Sequence, residues 1–166
     1  DAEIARKGTV NPDLLQALKN NPFFEAPFPK STGPELFNLE YVQKAITESQ
    51  TEQLSTEDVL ATLTRFSAET AAEAIIFAIQ QAGTMTADFT VYVSGGGMHN
   101  PLLMDYLKEL VPCSFKNTDE IGISGDAKEA ILFAVLANET VAGGATDFGT
   151  NNGIPSVTMG KISFPD

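Results

Sequence analysis

The chain is poor in cysteine, histidine and positive charge, and it has no long apolar run. One cysteine, Cys113, permits no intramolecular disulfide, so the reducing cytoplasm is the expected compartment. A lone thiol reads as a small apolar core residue rather than a nucleophile. His99, the one histidine, gives no metal signature without a second His or Cys beside it, and reads as a loop residue. Lys and Arg number 10 against 22 Asp and Glu, a net charge of −12. Such a surface repels phosphate backbones and anionic lipid, which argues against nucleic acid and membranes as partners. No stretch approaches the roughly 18 uninterrupted apolar residues of a membrane span, and the amino terminus lacks a basic-then-apolar signal pattern. An initiating methionine is also missing. The chain starts at Asp1 with a polar run, which leads to the expectation of a longer polypeptide upstream.

What is present suits one ordinary α/β domain: 166 residues, 43% of them hydrophobic. Asn11 and Pro12 form a cap and first-turn pair ahead of Leu14, Leu15 and Leu18, which predicts a short helix. Pro22, Pro27, Pro29 and Pro34 then forbid a continuous helix or central strand. Because Phe23, Phe24 and Phe28 are too apolar for a free linker, that stretch reads as an ordered loop packed on the domain. Val59, Leu60, Leu63, Phe66, Ala71, Ala74, Ile75, Ala78 and Ile79 fall on one helical stripe, with Ser55 and Asp58 at its start and Gly83 at its stop. "FTVYVS" predicts a buried strand. After the glycines, Asn100 and Pro101 open a helix with Leu102, Leu103, Tyr106, Leu107 and Leu110 inward, and Pro112 closes it. "CSFKN" is a second strand, parallel to the first through the crossover. Asp126 with Glu129 predicts a capped last helix burying Ala130, Ile131, Ala134 and Val135. The tail from Gly143 reads as irregular. Two strands fall short of the about five or six of a usual sheet, so further strands are expected elsewhere.

The chemistry sits in "VYVSGGGMHNPLL". At the carboxyl end of a parallel strand, the amides of the following turn and helix start face outward, where the helix dipole favours an anion. Gly95, Gly96 and Gly97 carry no Cβ to hold a nucleotide away from them. A tight turn with close strand-to-helix packing would use the same residues. A Walker loop is set aside, because Lys30 to Thr32 lacks the required glycine spacing. A dinucleotide fingerprint stays open: Gly95 and Gly97 fit, Asn100 stands in for the third glycine, and Asp119 or Glu120 follows about twenty residues on, as a ribose-binding acid does. An oxidoreductase module and a noncatalytic interaction domain are therefore the alternatives.

Four blocks in order, "PFFEAPFPKSTGPELFN", "VSGGGMHNPLLMDYL", "TDEIGISGDAKEAILFAVLA" and "NNGIPSVT", resemble the second half of the anhydro-N-acetylmuramic acid kinases. The resemblance implies a ribonuclease-H-like, actin-like ATPase fold, incomplete here, helix-rich with a few parallel strands. Residues 1–166 would form the carboxy-terminal portion of a two-domain enzyme, cytoplasmic and bacterial, with a homodimer as one form of assembly. Such enzymes use ATP, Mg²⁺ and water to open the 1,6-anhydro ring and phosphorylate O6 of the amino sugar, in cell-wall recycling. By resemblance Gly95, Gly96, Gly97 and Asn100 lie on the nucleotide, and Glu129 touches the sugar. No metal ligand is assigned. The family's catalytic carboxylate lies in an Asp-Thr-Gly-Pro-Gly-Asn loop that this sequence does not contain, so no catalytic residue is assigned and the chain alone is expected to be inactive. Lys30, Ser31 and Thr32 match a family block near the active site, with Pro34 where Arg is frequent; Thr158 to Gly160 departs from the family's Val-Thr-Gly-Ala.

Overall fold

The computed structural model describes residues 2–83 and 88–143. They form α1 (Pro12–Lys19), α2 (Pro22–Glu25), α3 (Leu39–Glu48), α4 (Thr56–Gln81), β1 (Thr90–Val93), α5 (Pro101–Leu110), β2 (Ser114–Asn117) and α6 (Lys128–Ala142), with short 3₁₀ turns between them. The arrangement is a helix-rich α/β one, with β1 and β2 paired in parallel as a single two-stranded sheet. The expected irregular tail and the departure at Thr158 to Gly160 lie outside the described residues. The chain divides into two compact units, residues 1–92 with 96–116, and residues 93–95 with 117–166.

The first unit is organised by α4, whose 26 residues make a rod of about 39 Å. Asparagine caps set the helices around it. Asn11, Asn38 and Asn100 each accept a hydrogen bond from the backbone N–H three residues on, at Leu14, Tyr41 and Leu103. Each of these links satisfies a donor that the helix itself cannot. On α4, Ser55 accepts from Asp58 N–H (3.1 Å), and Gly83 leaves the helix at φ +65°. The start and stop read from the sequence are therefore the ones used.

The single stripe is not. α4 buries two opposite faces. Val59, Leu63 and Phe66 join Leu14, Leu18 and Ala45 in one apolar cluster. Ala68, Ala72, Ile75 and Ile79 join Leu107 and Val111 in another. At about 100° per residue, Ala68 points half a turn away from Phe66 and from the first set. The small alanines at the second face let α5 approach closely. The other correction in this unit is α3, which falls where no element was predicted. Its Tyr41, Ala45 and Ile46 pack on the first cluster, and the Tyr41 hydroxyl donates to the Leu18 carbonyl.

Polar links tie these layers together. Thr62, fully buried, accepts from Asn11 N–H (2.9 Å) and donates to the Asp58 carbonyl (2.7 Å), so neither capacity of its hydroxyl is wasted. Gly8 passes so close to α4 that a Cβ there would stand 2.0 Å from the Glu57 carbonyl oxygen. Lys19, Glu69, Glu73, Arg65 and Glu109 form a chain of ion pairs (2.7–3.2 Å) joining α1, α4 and α5. Burial raises the pKa of the Glu69 carboxyl, yet the hydrogen bonds and charges of Arg65 and Lys19 more than offset it and leave the value lowered.

β1 is not the buried strand expected. Its Tyr92 is exposed and its other residues are half-buried, as suits a strand with one partner in the described sheet. In the second unit, α6 also departs from expectation. Its N-cap is Ala127 with no side-chain cap bond, so the Asp126–Glu129 capping box does not form; Ser124 Oγ accepts from Ala127 N–H one turn earlier. Nor does the expected inward face exist. Ile131 and Val135 are about half exposed, and α6 has no buried residue.

Candidate nucleotide site

β1 runs into Ser94 and Gly95, a 3₁₀ turn at Gly96–His99, the Asn100 cap and then α5. Gly95 has φ +80°, a left-handed conformation that disfavours any residue with a Cβ. Gly96 is different. Its φ is ordinary, it is exposed, and a Cβ built on it meets none of the described residues within 4 Å. Gly97 would meet only Leu103 Cδ2 at 3.7 Å, an ordinary contact. Close strand-to-helix packing therefore does not account for the missing side chains at Gly96 and Gly97. Gly8 shows what such crowding looks like in this chain. Asn100 caps α5 through Oδ1 (3.1 Å from Leu103 N), which leaves its Nδ2 group outside the cap.

Gly96, Gly97 and Asn100 belong to the first unit; Gly95 and Glu129 belong to the second. Within the second, Gly95 N–H donates to the Gly125 carbonyl (3.1 Å) and Lys128 Nζ donates to Ser94 Oγ (2.8 Å). These two links fasten the beginning of the glycine turn to the residues just before and at the start of α6. Sequence reasoning missed Ser94 and Lys128, since an i to i+34 contact leaves no local pattern. Glu129 is an exposed residue in the first turn of α6.

The other residues singled out have local roles. Lys30 donates to the carbonyls of Phe23 and Phe24 (2.9 and 2.8 Å) and lies over the rings of Phe23, Phe24 and Phe28 at 4.8–5.9 Å. Its match to the family block thus has an explanation in the loop's own folding. That loop borders a cavity of about 820 Å³ lined by Phe23, Phe24, Phe37, Tyr41 and Phe66 among others, and by none of the glycines. Thr32 Oγ1 donates to Glu35 (3.2 Å). Glu120 accepts from Asn117 N–H (3.2 Å) in the 3₁₀ turn Thr118–Ile121, where Asp119 also sits exposed. His99 ends the 3₁₀ turn after the glycines and is exposed. Cys113 is half-buried beside the second apolar cluster, and burial pushes its thiol pKa up, which suits a packing residue.

Residues 1–163 match the family model described as anhydro-N-acetylmuramic acid kinase. The chain belongs to the anhydro-N-acetylmuramic acid kinase family. It is 51% identical to the protein of that name from Pseudoalteromonas atlantica and 48% to that from Pseudoalteromonas translucida, in both cases over 100% of this chain and 41% of the relative. The Streptomyces avermitilis relative is 41% identical over 98% of this chain and 40% of its own length. All three relatives are named as sugar kinases, and the chain spans about two fifths of their length. The carboxy-terminal placement expected above does not follow from these matches. They establish a family and an extent, and no end. No helix among the described residues is long and apolar enough to cross a membrane.

Proposed function

We propose that this chain carries part of the nucleotide site of an ATP-dependent kinase acting on anhydro-N-acetylmuramic acid, with Gly95, Gly96, Gly97 and Asn100 against the nucleotide. The observation that carries this reading is Gly96. Its bare backbone is required neither by φ nor by a neighbour among the described residues, so the space beside it is open to a ligand. An adenine nucleotide fits that place, because amides at a strand end followed by a helix start favour an anionic ligand. Gly95 supplies the turn, and Asn100 both caps α5 and keeps Nδ2 for a ligand oxygen or ring nitrogen.

Phosphoryl transfer needs chiefly positioning and neutralisation of charge. Among the described residues, no three His, Cys, Asp or Glu side chains converge as a metal site. The Mg²⁺ of this reading would come with the phosphates of ATP. Glu129 is assigned to the sugar; no capping box holds it, and its carboxylate in the first turn of α6 also suits the helix dipole. The ribonuclease-H-like fold, the cytoplasmic compartment and a role in cell-wall recycling belong to the same proposal, supported by the order strand, glycine turn, helix, strand, helix and by the family. The family's Asp-Thr-Gly-Pro-Gly-Asn loop is not in this sequence, so the 166 residues alone are expected to bind without turnover.

The test is ADP release dependent on anhydro-N-acetylmuramic acid, in the P. atlantica relative with this chain replacing its matched segment. Activity in that protein, lost on Glu129→Gln with ATP affinity retained, is the expected result. Activity unaffected by Glu129→Gln would remove Glu129 from the site, and turnover by the 166 residues alone would refute the inactive-fragment reading.

A further inference from the structure

We infer that Lys128 is a positioning residue for the nucleotide turn: it acts through Ser94, holding the backbone that leads into Gly95 and Gly96 in the form that receives ATP. This rests on the nucleotide reading of the glycine turn and deepens it. Lys128 is the one Lys or Arg among the described residues of the second unit. It also stands where a cation is poorly placed. It is the first residue of α6, whose N-cap Ala127 makes no side-chain bond, and positive charge in a first helical turn opposes the helix dipole. Helix stability therefore does not account for a lysine there, but its reach does. Lys128 Nζ donates to Ser94 Oγ at 2.8 Å, and an ionised donor makes this link stronger than one between neutral groups.

The link lands at the entrance to the most pliable backbone of the site. Ser94 directly precedes Gly95, which has φ +80° and whose N–H is donated to the Gly125 carbonyl (3.1 Å). One side-chain bond and one backbone bond thus fix two consecutive residues to the segment 125–128. Because the Gly95 amide is committed to Gly125, the amides that meet a nucleotide come after it, at Gly96 and Gly97. Glycines have wide backbone freedom, so those amides keep a common direction only if the residues leading into them are held. A turn ordered before ATP arrives spares the ligand that ordering cost, which is what gives a side chain outside the ligand shell an effect on affinity.

A double-substitution cycle of Lys128→Met and Ser94→Ala tests the inference, in the joined protein in which this chain replaces the matched segment of the P. atlantica relative. By calorimetry each single change should weaken ATP binding about three- to tenfold, and in kinetics it should raise KM for ATP by a similar factor with kcat little altered. The two changes together should weaken it no more than either alone, since both break the same link. Lys128→Arg, which still donates, should recover most of the affinity. Fully additive effects would mean that Lys128 reaches the nucleotide independently of Ser94, and would overturn the inference. Unchanged ATP affinity in Lys128→Met would do the same. If Lys128→Met does not fold, Lys128→Gln takes its place in the cycle and is judged by the same outcomes. Gly96→Val separates this inference from the reading beneath it: affinity lost there but retained in Lys128→Met removes only the role of Lys128, whereas affinity retained in Gly96→Val removes the nucleotide reading itself.

Discussion

The two units spend their apolar residues in opposite ways. In the first, α4 is packed on both sides, Leu14 and Leu18 are fully buried, and its one fully buried hydroxyl is satisfied. In the second, α6 is the more hydrophobic in composition but has no buried residue. Apolar content is thus not a measure of core. Burial requires a partner surface, and the first unit contains its own whereas the described part of the second does not.

Four substitutions would sharpen or break that contrast. Leu18→Ala, at a fully buried position, should cost about 3 kcal/mol through lost transfer energy and a cavity. Chemical denaturation measures it, and a cost below about 1 kcal/mol would mean that the first cluster is not a packed core. Gly8→Ala should cost about 2 kcal/mol, because the new methyl overlaps the Glu57 carbonyl and the chain must shift; its unfolding midpoint should drop accordingly.

Glu69→Gln should cost about 1 kcal/mol at neutral pH, since it loosens links to both Lys19 and Arg65 at a partly buried place. Its pH dependence has a definite sign. The folded pKa lies below the ordinary carboxyl value, so the stabilisation is complete above that ordinary value and is lost as pH falls through the lowered one. The gap between parent and variant should therefore close on acidification, and a gap that widened in acid would contradict the ion-pair assignment. Phe133→Ala, in the isolated chain, should change stability by less than about 0.5 kcal/mol because the ring is largely exposed. A cost like that of Leu18→Ala would abolish the contrast between the units.

Local signals were the most legible part of the sequence. The Asn-Pro pairs at Asn11 and Asn100, Ser55 and Gly83 each act through the next few residues, and each operates as read. Nonlocal choices were hidden. One stripe and two opposite stripes on α4 have the same residue types, and only the positions of α1 and α5 tell them apart. α3 had a readable start, Asn38 followed by Tyr41, Val42, Ala45 and Ile46 at helical spacing, which the surrounding prolines masked. At α6 the acid pair looked like a cap, but Ser124 holds the turn one residue-group earlier, and an apolar helix was taken for a buried one. The glycine turn was located from sequence, but crowding and open space at a glycine differ only in three dimensions. Gly8 and Gly96 are indistinguishable as letters.

ATP titration by calorimetry of the joined P. atlantica protein, with Gly96 and with Gly96→Val, addresses the nucleotide reading most directly. The account predicts an ATP affinity weakened roughly tenfold or more, about 1.4 kcal/mol, with thermal stability little changed, since a Cβ at this position meets none of the described residues within 4 Å. Equal ATP affinity for the two proteins would contradict it.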